Sequence, residues 1–331
     1  MGFTSFGILG GGAWGTALAH AMRLQGRTTL LWAREAEVRA EINARHCNTP
    51  FLPGVALHPE LEATDDLARI AAQDVVLMVA PAQFVRASAG ALAALLPPGK
   101  PVVICAKGIE QGTGKLLGEV LAETLPQATV AVLSGPSFAA DVARGLPAAL
   151  TLATAEEALG EALATAIGGK QLRIYWTSDR IGVQLGGAVK NVLAIAAGIV
   201  AGRELGASAH AALVTRGFAE LRRFAAAMGA SPETLMGLSG LGDLLLTCGS
   251  TQSRNMSLGR ALGRGETLAS VLGARRSVTE GVYTAAALAL MAAGAGAEMP
   301  ICRAVHDIVE GRLEIAAAIS GLLSRPFRAE A

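Results

Sequence analysis

Six residues near the amino terminus constrain the fold more than any other feature of the chain. Gly10-Gly11-Gly12-Ala13-Trp14-Gly15 satisfies G-x-G-x-x-G. Alone the pattern is weak, because a chain with 40 glycines in 331 residues matches it easily by chance. Its surroundings make it informative. An apolar run at 6–9 precedes it, residues 13–24 carry apolar side chains at helical spacing, and Gly26 reads as a stop. Thr28–Trp32 is then a second strand-like run, followed by a polar helical pattern over 35–44. This is a βαβ unit, whose two strands are expected to be parallel. In such a unit Gly10 permits the tight turn, Gly12 lets the backbone approach a pyrophosphate, and Gly15 allows close packing of helix on strand. The helix N-terminus adds free N–H groups and a partial positive charge. The loop therefore predicts dinucleotide binding; the plainer alternative is a purely structural Gly-rich turn.

The end of the second strand bears on which dinucleotide. Sites for NAD usually place Asp or Glu there, against the ribose hydroxyls. This chain reads Leu31-Trp32-Ala33-Arg34-Glu35. Arg34 suits a 2′-phosphate and favours NADPH over NADH. Glu35 works against that reading, unless it is simply an acid in the first turn of a helix.

The alternation continues. Residues 74–79, 101–106, 129–133, 148–152 and 172–176 are apolar strand-like runs, with a helical pattern at 156–167. Uninterrupted apolar runs predict parallel strands buried on both faces. Beyond Ser178-Asp179 the pattern is helical: a long helix to about 203 capped by Ser178, then 209–228, 258–262, 282–293, 301–310 and 314–322, with a frayed end at 325–331. The expected architecture is an α/β Rossmann-type domain at 1–179 and an all-helical domain at 180–331. A composition 52% hydrophobic and 17% charged can fill two cores, and 4% aromatics amid abundant Ala and Gly favours close helix contacts. An uncharged run at 281–297 falls short of the roughly 20 residues that span a bilayer and is expected to be a buried helix. No basic region precedes the first apolar stretch, so the start does not read as a signal peptide.

A net charge of +1 offers no global field for nucleic acid or anionic lipid. Cys47, Cys105, Cys248 and Cys302 form no CxxC pair and read as reduced thiols of a cytosolic protein. The five histidines show neither metal-ligand nor triad spacing, so no metal is expected. The scarce lysines are more telling. Lys107 follows a strand's carboxyl end, where ligands lie in open α/β sheets. Lys190 sits mid-helix among apolar and small neighbours. It either snorkels from a partly buried face or is a desolvated amine of lowered pKa, able to carry a proton. Asp243 is either a helix N-cap or a group that binds a substrate hydroxyl or orients Lys190. Ser253, Arg254 and Asn255 combine a hydroxyl, a guanidinium and an amide, which together suit a phosphate, though a solvated helix start explains them too. The turn from Ser134 through Gly135, Ser137 and Ala139 leads into a helix and can present N–H groups to an anion.

GGGAWGTALA (10–19), CNTPFLPG (47–54), AKGIE (106–110), SGPSFA (134–139), GLPAAL (145–150), IGVQLGGAVKNVLAIAAG (181–198), LSGLGDLLLTC (238–248), QSRN (252–255), TEGV (279–282) and EMPI (298–301) occur in this order over nearly the whole chain. Together they resemble the bacterial NAD(P)-dependent glycerol-3-phosphate dehydrogenase family. That resemblance implies a helical second domain like that of 6-phosphogluconate dehydrogenase. It implies interconversion of dihydroxyacetone phosphate and sn-glycerol 3-phosphate for phospholipid synthesis, by a cytoplasmic homodimer. By matching motif, Lys190 is implied as proton donor and acceptor. Lys107, Gly135, Ser137, Asp243, Ser253, Arg254 and Asn255 are implied as further substrate contacts. Trp14, Arg34, Lys107, Ala139, Arg254, Val278 and Glu280 are implied as cofactor contacts beside Gly10, Gly12 and Gly15. Ala13 stands where many relatives have serine, so only a backbone contact survives there. Two rivals remain. A sugar-acid or hydroxyacid dehydrogenase of 6-phosphogluconate or ketopantoate type shares the loop but does not require SGPSFA with QSRN. A regulator that senses NADPH without turnover has no need of Lys190.

Overall fold

A computed structural model describes residues 2–275 and 278–326; the tail at 327–331, part of the segment expected to fray, lies outside them. The first half alternates strand and helix: β1 (Ser5–Leu9), α1 (Ala13–Arg23), β2 (Thr28–Trp32), α2 (Ala36–Arg45), β3 (Glu62–Thr64), α3 (Leu67–Ala71), β4 (Val75–Met78), α4 (Val85–Leu92), β5 (Pro101–Ile104), α5 (Leu117–Thr124), β6 (Thr129–Ser134), α6 (Ala139–Ala143), β7 (Ala148–Thr154), α7 (Glu157–Ile167) and β8 (Leu172–Thr177). The strands form one sheet in the order β3-β2-β1-β4-β5-β6-β7-β8. Alternate residues serve its two faces. Phe6, Ile8, Leu31, Leu77 and Val103 pack with Leu18 and Met22 of α1. Leu30, Val76, Met78, Val102 and Ile104 pack with Val85, Leu92 and Leu121 of α4 and α5. Apolar side chains on both faces explain the unbroken hydrophobic runs.

Two features depart from expectation. β7 runs antiparallel to β6, although β7 and β8 are parallel to each other. The short α6 packs on α1 rather than running back along the sheet, so the chain re-enters from the end it left. β3 was not expected at all: it has three residues, two of them polar, too few for a period to show.

From α8 onward the described chain is helical: α8 (Arg180–Gly202), α9 (Gly206–Ala227), α10 (Pro232–Met236), α11 (Asp243–Gly249), α12 (Arg254–Gly263), α13 (Leu268–Gly273), α14 (Glu280–Gly294), α15 (Pro300–Val309) and α16 (Ile315–Leu323). The cap of α8 is Asp179 rather than Ser178. One carboxylate oxygen accepts Gly182 N at 2.7 Å and the other Ser231 N at 2.8 Å, two charge-assisted bonds that a hydroxyl cannot match. The run at 281–297 gives α14, which buries only one side and leaves Leu290 62% exposed. The buried helix is α8, in which every residue from 185 to 200 is buried. By length and composition it is apolar enough to cross a membrane, but here it is the axis around which α9, α11, α12, α14 and α15 pack.

Contact between α8 and α12 is backbone on backbone. A Cβ at Gly198 would sit 2.2 Å from Met256 O, and one at Gly259 2.0 Å from Ile195 O; at Gly202 and Gly263 it would come within 2.3 Å of Arg260 O and 2.7 Å of Ile199 O. Each helix thus presents two glycines four apart, stacked on one face. This seam sets how close the start of α12, with Arg254, lies to Lys190. Gly259→Ala is expected to cost about 1–3 kcal/mol by overpacking, read as a lower thermal midpoint. An unchanged midpoint would show that the seam has slack.

Candidate active site

The Gly-rich loop after β1, Arg34 after β2, Lys107 after β5 and Gly135 after β6 all lie at the carboxyl ends of parallel strands. That is where open α/β sheets hold ligands. Lys190 is 7% exposed and Asp243 0%. Lys190 Nζ donates to Asp243 Oδ1 at 2.6 Å and to Thr247 Oγ1 at 2.8 Å. Lys107 Nζ donates to the other oxygen, Oδ2, at 2.7 Å, and to Gly135 O at 2.8 Å. One buried carboxylate therefore bridges two ammonium groups. Burial pushes Lys190 down to about 8; the Asp243 carboxylate opposes that fall and the Lys107 charge adds to it.

Local backbone geometry places Asp243. A π-helical turn, Leu238–Gly242, precedes α11 and lies directly on α8. A Cβ at Gly186 would stand 2.4 Å from Ser239 O, and one at Gly240 2.0 Å from Leu235 O. Gly186 is four residues before Lys190, so the face of α8 that admits this turn is the face that carries the amine. Of the readings left open for Asp243, the cap is not the one seen: Gly242 holds the N-cap position, and both carboxylate oxygens go to lysines. A buried carboxylate between two ammonium groups gains more from pairing than from capping.

The three phosphate candidates separate. Ser253 Oγ accepts Met256 N at 3.2 Å and caps α12. Asn255 Nδ2 donates to Asn191 Oδ1 and its Oδ1 accepts Gly281 N, both at 2.9 Å, so it ties α12 to α8 and α14. Arg254 is exposed, and its side chain makes no hydrogen bond to the described residues. Ser137 Oγ donates to Gly135 O at 3.2 Å, the acceptor Lys107 also uses. The turn before Ala139 does lead into a helix, but α6 has only five residues.

Sequence reasoning missed two polar residues here. Thr247 completes the Lys190 site; its signal was the i, i+4 spacing from Asp243 along one helix face. Asn191 Nδ2 donates to Lys107 O at 2.9 Å, linking α8 to the Lys107 loop.

The dinucleotide loop fits a ligand of that kind. Gly10 has φ +140° and Gly15 lies against Gly10 O, where a Cβ would approach to 1.9 Å, so the fold itself demands both. Gly12 differs: a Cβ there would meet nothing within 4 Å. α1 begins without a side-chain cap, and Trp14 Nε1 is buried without a partner. Arg34 is 74% exposed and pairs with Glu35 Oε1 at 2.8 Å. An exposed pair of this sort is weak and yields to a dianionic phosphate. Glu280 Oε1 accepts Ala82 N at 3.0 Å across the cleft, while Oε2 is buried and unpartnered. Val278 is half-buried just before α14.

A Rossmann-type sheet with a Gly-rich loop after its first strand, and a buried lysine of lowered pKa presented over the same end of that sheet, fit a nicotinamide-dependent dehydrogenase. Comparison with known proteins narrows the class. Residues 5–160 match the N-terminal model, and 179–320 the C-terminal model, of NAD-dependent glycerol-3-phosphate dehydrogenase. A glycerol-3-phosphate dehydrogenase [NAD(P)+] of Parvibaculum lavamentivorans is 58% identical over 330 residues, covering 100% of this chain and 99% of that protein. Its counterpart in Caulobacter vibrioides is 56% identical over the full length of both chains. The crystal structure of glycerol-3-phosphate dehydrogenase from Coxiella burnetii, 37% identical, superposes with a TM-score of 0.93 over 98% of this chain and 99% of that one. The chain belongs to the NAD-dependent glycerol-3-phosphate dehydrogenase family and is an NAD(P)-dependent oxidoreductase.

Proposed function

We propose that the chain reduces dihydroxyacetone phosphate to sn-glycerol 3-phosphate and catalyses the reverse oxidation, with Lys190 as proton donor and acceptor. One observation carries this reading: a buried amine, pushed down to about 8, is aimed by Asp243 and Thr247 at the ligand-binding end of the sheet. When bound, the reduced nicotinamide supplies a hydride to the carbonyl carbon. Lys190, as ammonium, donates its proton to the carbonyl oxygen; as amine it removes the hydroxyl proton in oxidation. Lys107 stabilises negative charge building on that oxygen. Asp243 holds both nitrogens in place. Arg254, with the start of α12, takes the phosphate, helped by Ser137 and by the hydroxyl of Ser253. Residues 1–179 hold the dinucleotide, with Gly12, Ala13 and Trp14 on its phosphates and Ala139 nearby, and Val278 and Glu280 approach it from the second half. Residues 180–331 supply the amine. Arg34 favours NADPH over NADH. The enzyme works as a cytoplasmic homodimer, and its product enters glycerophospholipid synthesis.

Loss of reduced-nicotinamide absorbance on adding dihydroxyacetone phosphate, run with NADPH and NADH in parallel, tests the reaction and the preference together. Oxidation of 6-phosphogluconate in place of glycerol 3-phosphate would overturn the substrate assignment. Arg254→Ala is expected to raise the KM for dihydroxyacetone phosphate about 10- to 100-fold, matching the loss of charge-assisted hydrogen bonds worth about 1.5–3 kcal/mol. An unchanged KM would remove Arg254 from the phosphate site.

A further inference from the structure

The segment 47–54 reaches the Gly-rich loop after β1 through Asn48. Asn48 is 0% exposed. Its Nδ2 donates to Gly11 O at 2.9 Å and to Thr16 Oγ1 at 2.8 Å, and Thr16 Oγ1 in turn donates to Gly11 O at 3.4 Å. Asn48 itself is held: its carbonyl accepts Leu52 N at 2.7 Å, Leu52 is anchored in the core, and the carboxylate of Glu41 takes Thr49 N at 2.7 Å.

We propose that Asn48 is a positioning residue for the dinucleotide, acting by fixing the plane of the Gly11–Gly12 peptide. A trans peptide points its C=O and N–H in opposite directions. Drawing the Gly11 carbonyl inward onto the Asn48 amide therefore aims the Gly12 N–H the opposite way, away from Asn48. Without that hold, the carbonyl is free to turn its negative end toward the pyrophosphate. Two adjacent glycines offer little steric resistance to such a rotation. The Asn48 amide cannot be reversed, because Oδ1 would then oppose the carbonyl. It keeps its orientation although Oδ1 is buried with no partner. Thr16 is the second point of the same grip.

This inference rests on the loop being the dinucleotide site. The test is fluorescence titration of the ligand-free enzyme with NADPH and with NADH, alongside its melting temperature without nucleotide. Asn48→Leu keeps the shape and removes the donor. It is expected to raise Kd for both nucleotides about tenfold or more, with kcat at saturating cofactor and KM for dihydroxyacetone phosphate within about threefold of wild type. If Asn48→Leu does not fold, Thr16→Val carries the test and is expected to raise both Kd values about threefold or more. A lower melting temperature with unchanged Kd would make these residues merely structural and overturn the inference. Wild-type protein that binds neither nucleotide would instead overturn the cofactor site, and this inference with it.

Discussion

Lys190→Ala is expected to cut turnover about 10²- to 10⁴-fold, the range for loss of a general acid–base group, with Kd for the dinucleotide within about twofold of wild type. The asymmetry follows from where the amine sits. Lys190 is on α8, bonded to Asp243 and Thr247, whereas the Gly-rich loop proposed to receive the dinucleotide follows β1. No part of that loop is held by the Lys190 side chain. Both kcat and kcat/KM should fall together, the mark of a group that works in the transition state rather than in binding. Lys190→Met, which keeps the volume of the buried stem, should behave alike and separates lost chemistry from lost packing. Near-normal turnover in either variant would refute the assignment.

Asp243→Asn is expected to damage both stability and turnover. The carboxylate is the sole acidic partner of Lys107 and Lys190 among the described ion pairs. Removing its charge leaves Lys107 and the buried Lys190 facing each other with no carboxylate between them. Breaking a buried pair in this way costs about 3–5 kcal/mol, which equilibrium unfolding in denaturant will resolve. The amide keeps the shape of the carboxylate, so a cavity cannot explain the loss. The same change lets burial and the Lys107 charge push Lys190 lower still, since Asp243 is what opposes them. Stability equal to wild type would mean that the lysines do not depend on this carboxylate for neutralisation.

The features legible in the sequence share one cause: a physical demand expressed within a few neighbouring residues. The loop at 10–15 announces itself because tight turn, open space and close helix packing each need glycine at a fixed offset. Lys190 stands out because an ammonium among Val, Ala, Leu and Ile needs a reason. What stayed hidden depends on parts of the chain that meet only after folding. For Asp243 the sequence leaves a cap and a partner of Lys190 both open, and only the fold shows one oxygen taken by Lys190 and the other by Lys107. Asn255 reads only as a polar neighbour of Arg254, and the bonds that tie it to Asn191 and Gly281 show only in the fold. Asn48 lies 37 residues from the loop it grips. The antiparallel β7 follows from α6 packing on α1, which no apolar run encodes. Ser178 and Asp179 are both good caps, and the choice between them turns on Ser231, which needs an acceptor at the same place.

The pH dependence of kcat in the two directions bears most directly on the claim that Lys190 carries the proton. Reduction needs the ammonium form, so its kcat should hold at neutral pH and fall as pH rises through about 8; oxidation needs the amine, so its kcat should rise through the same region. Asp243→Asn should move both limbs to lower pH. Two profiles flat across the interval from about pH 7 to about pH 9.5, with substrate and cofactor saturating, would contradict the account.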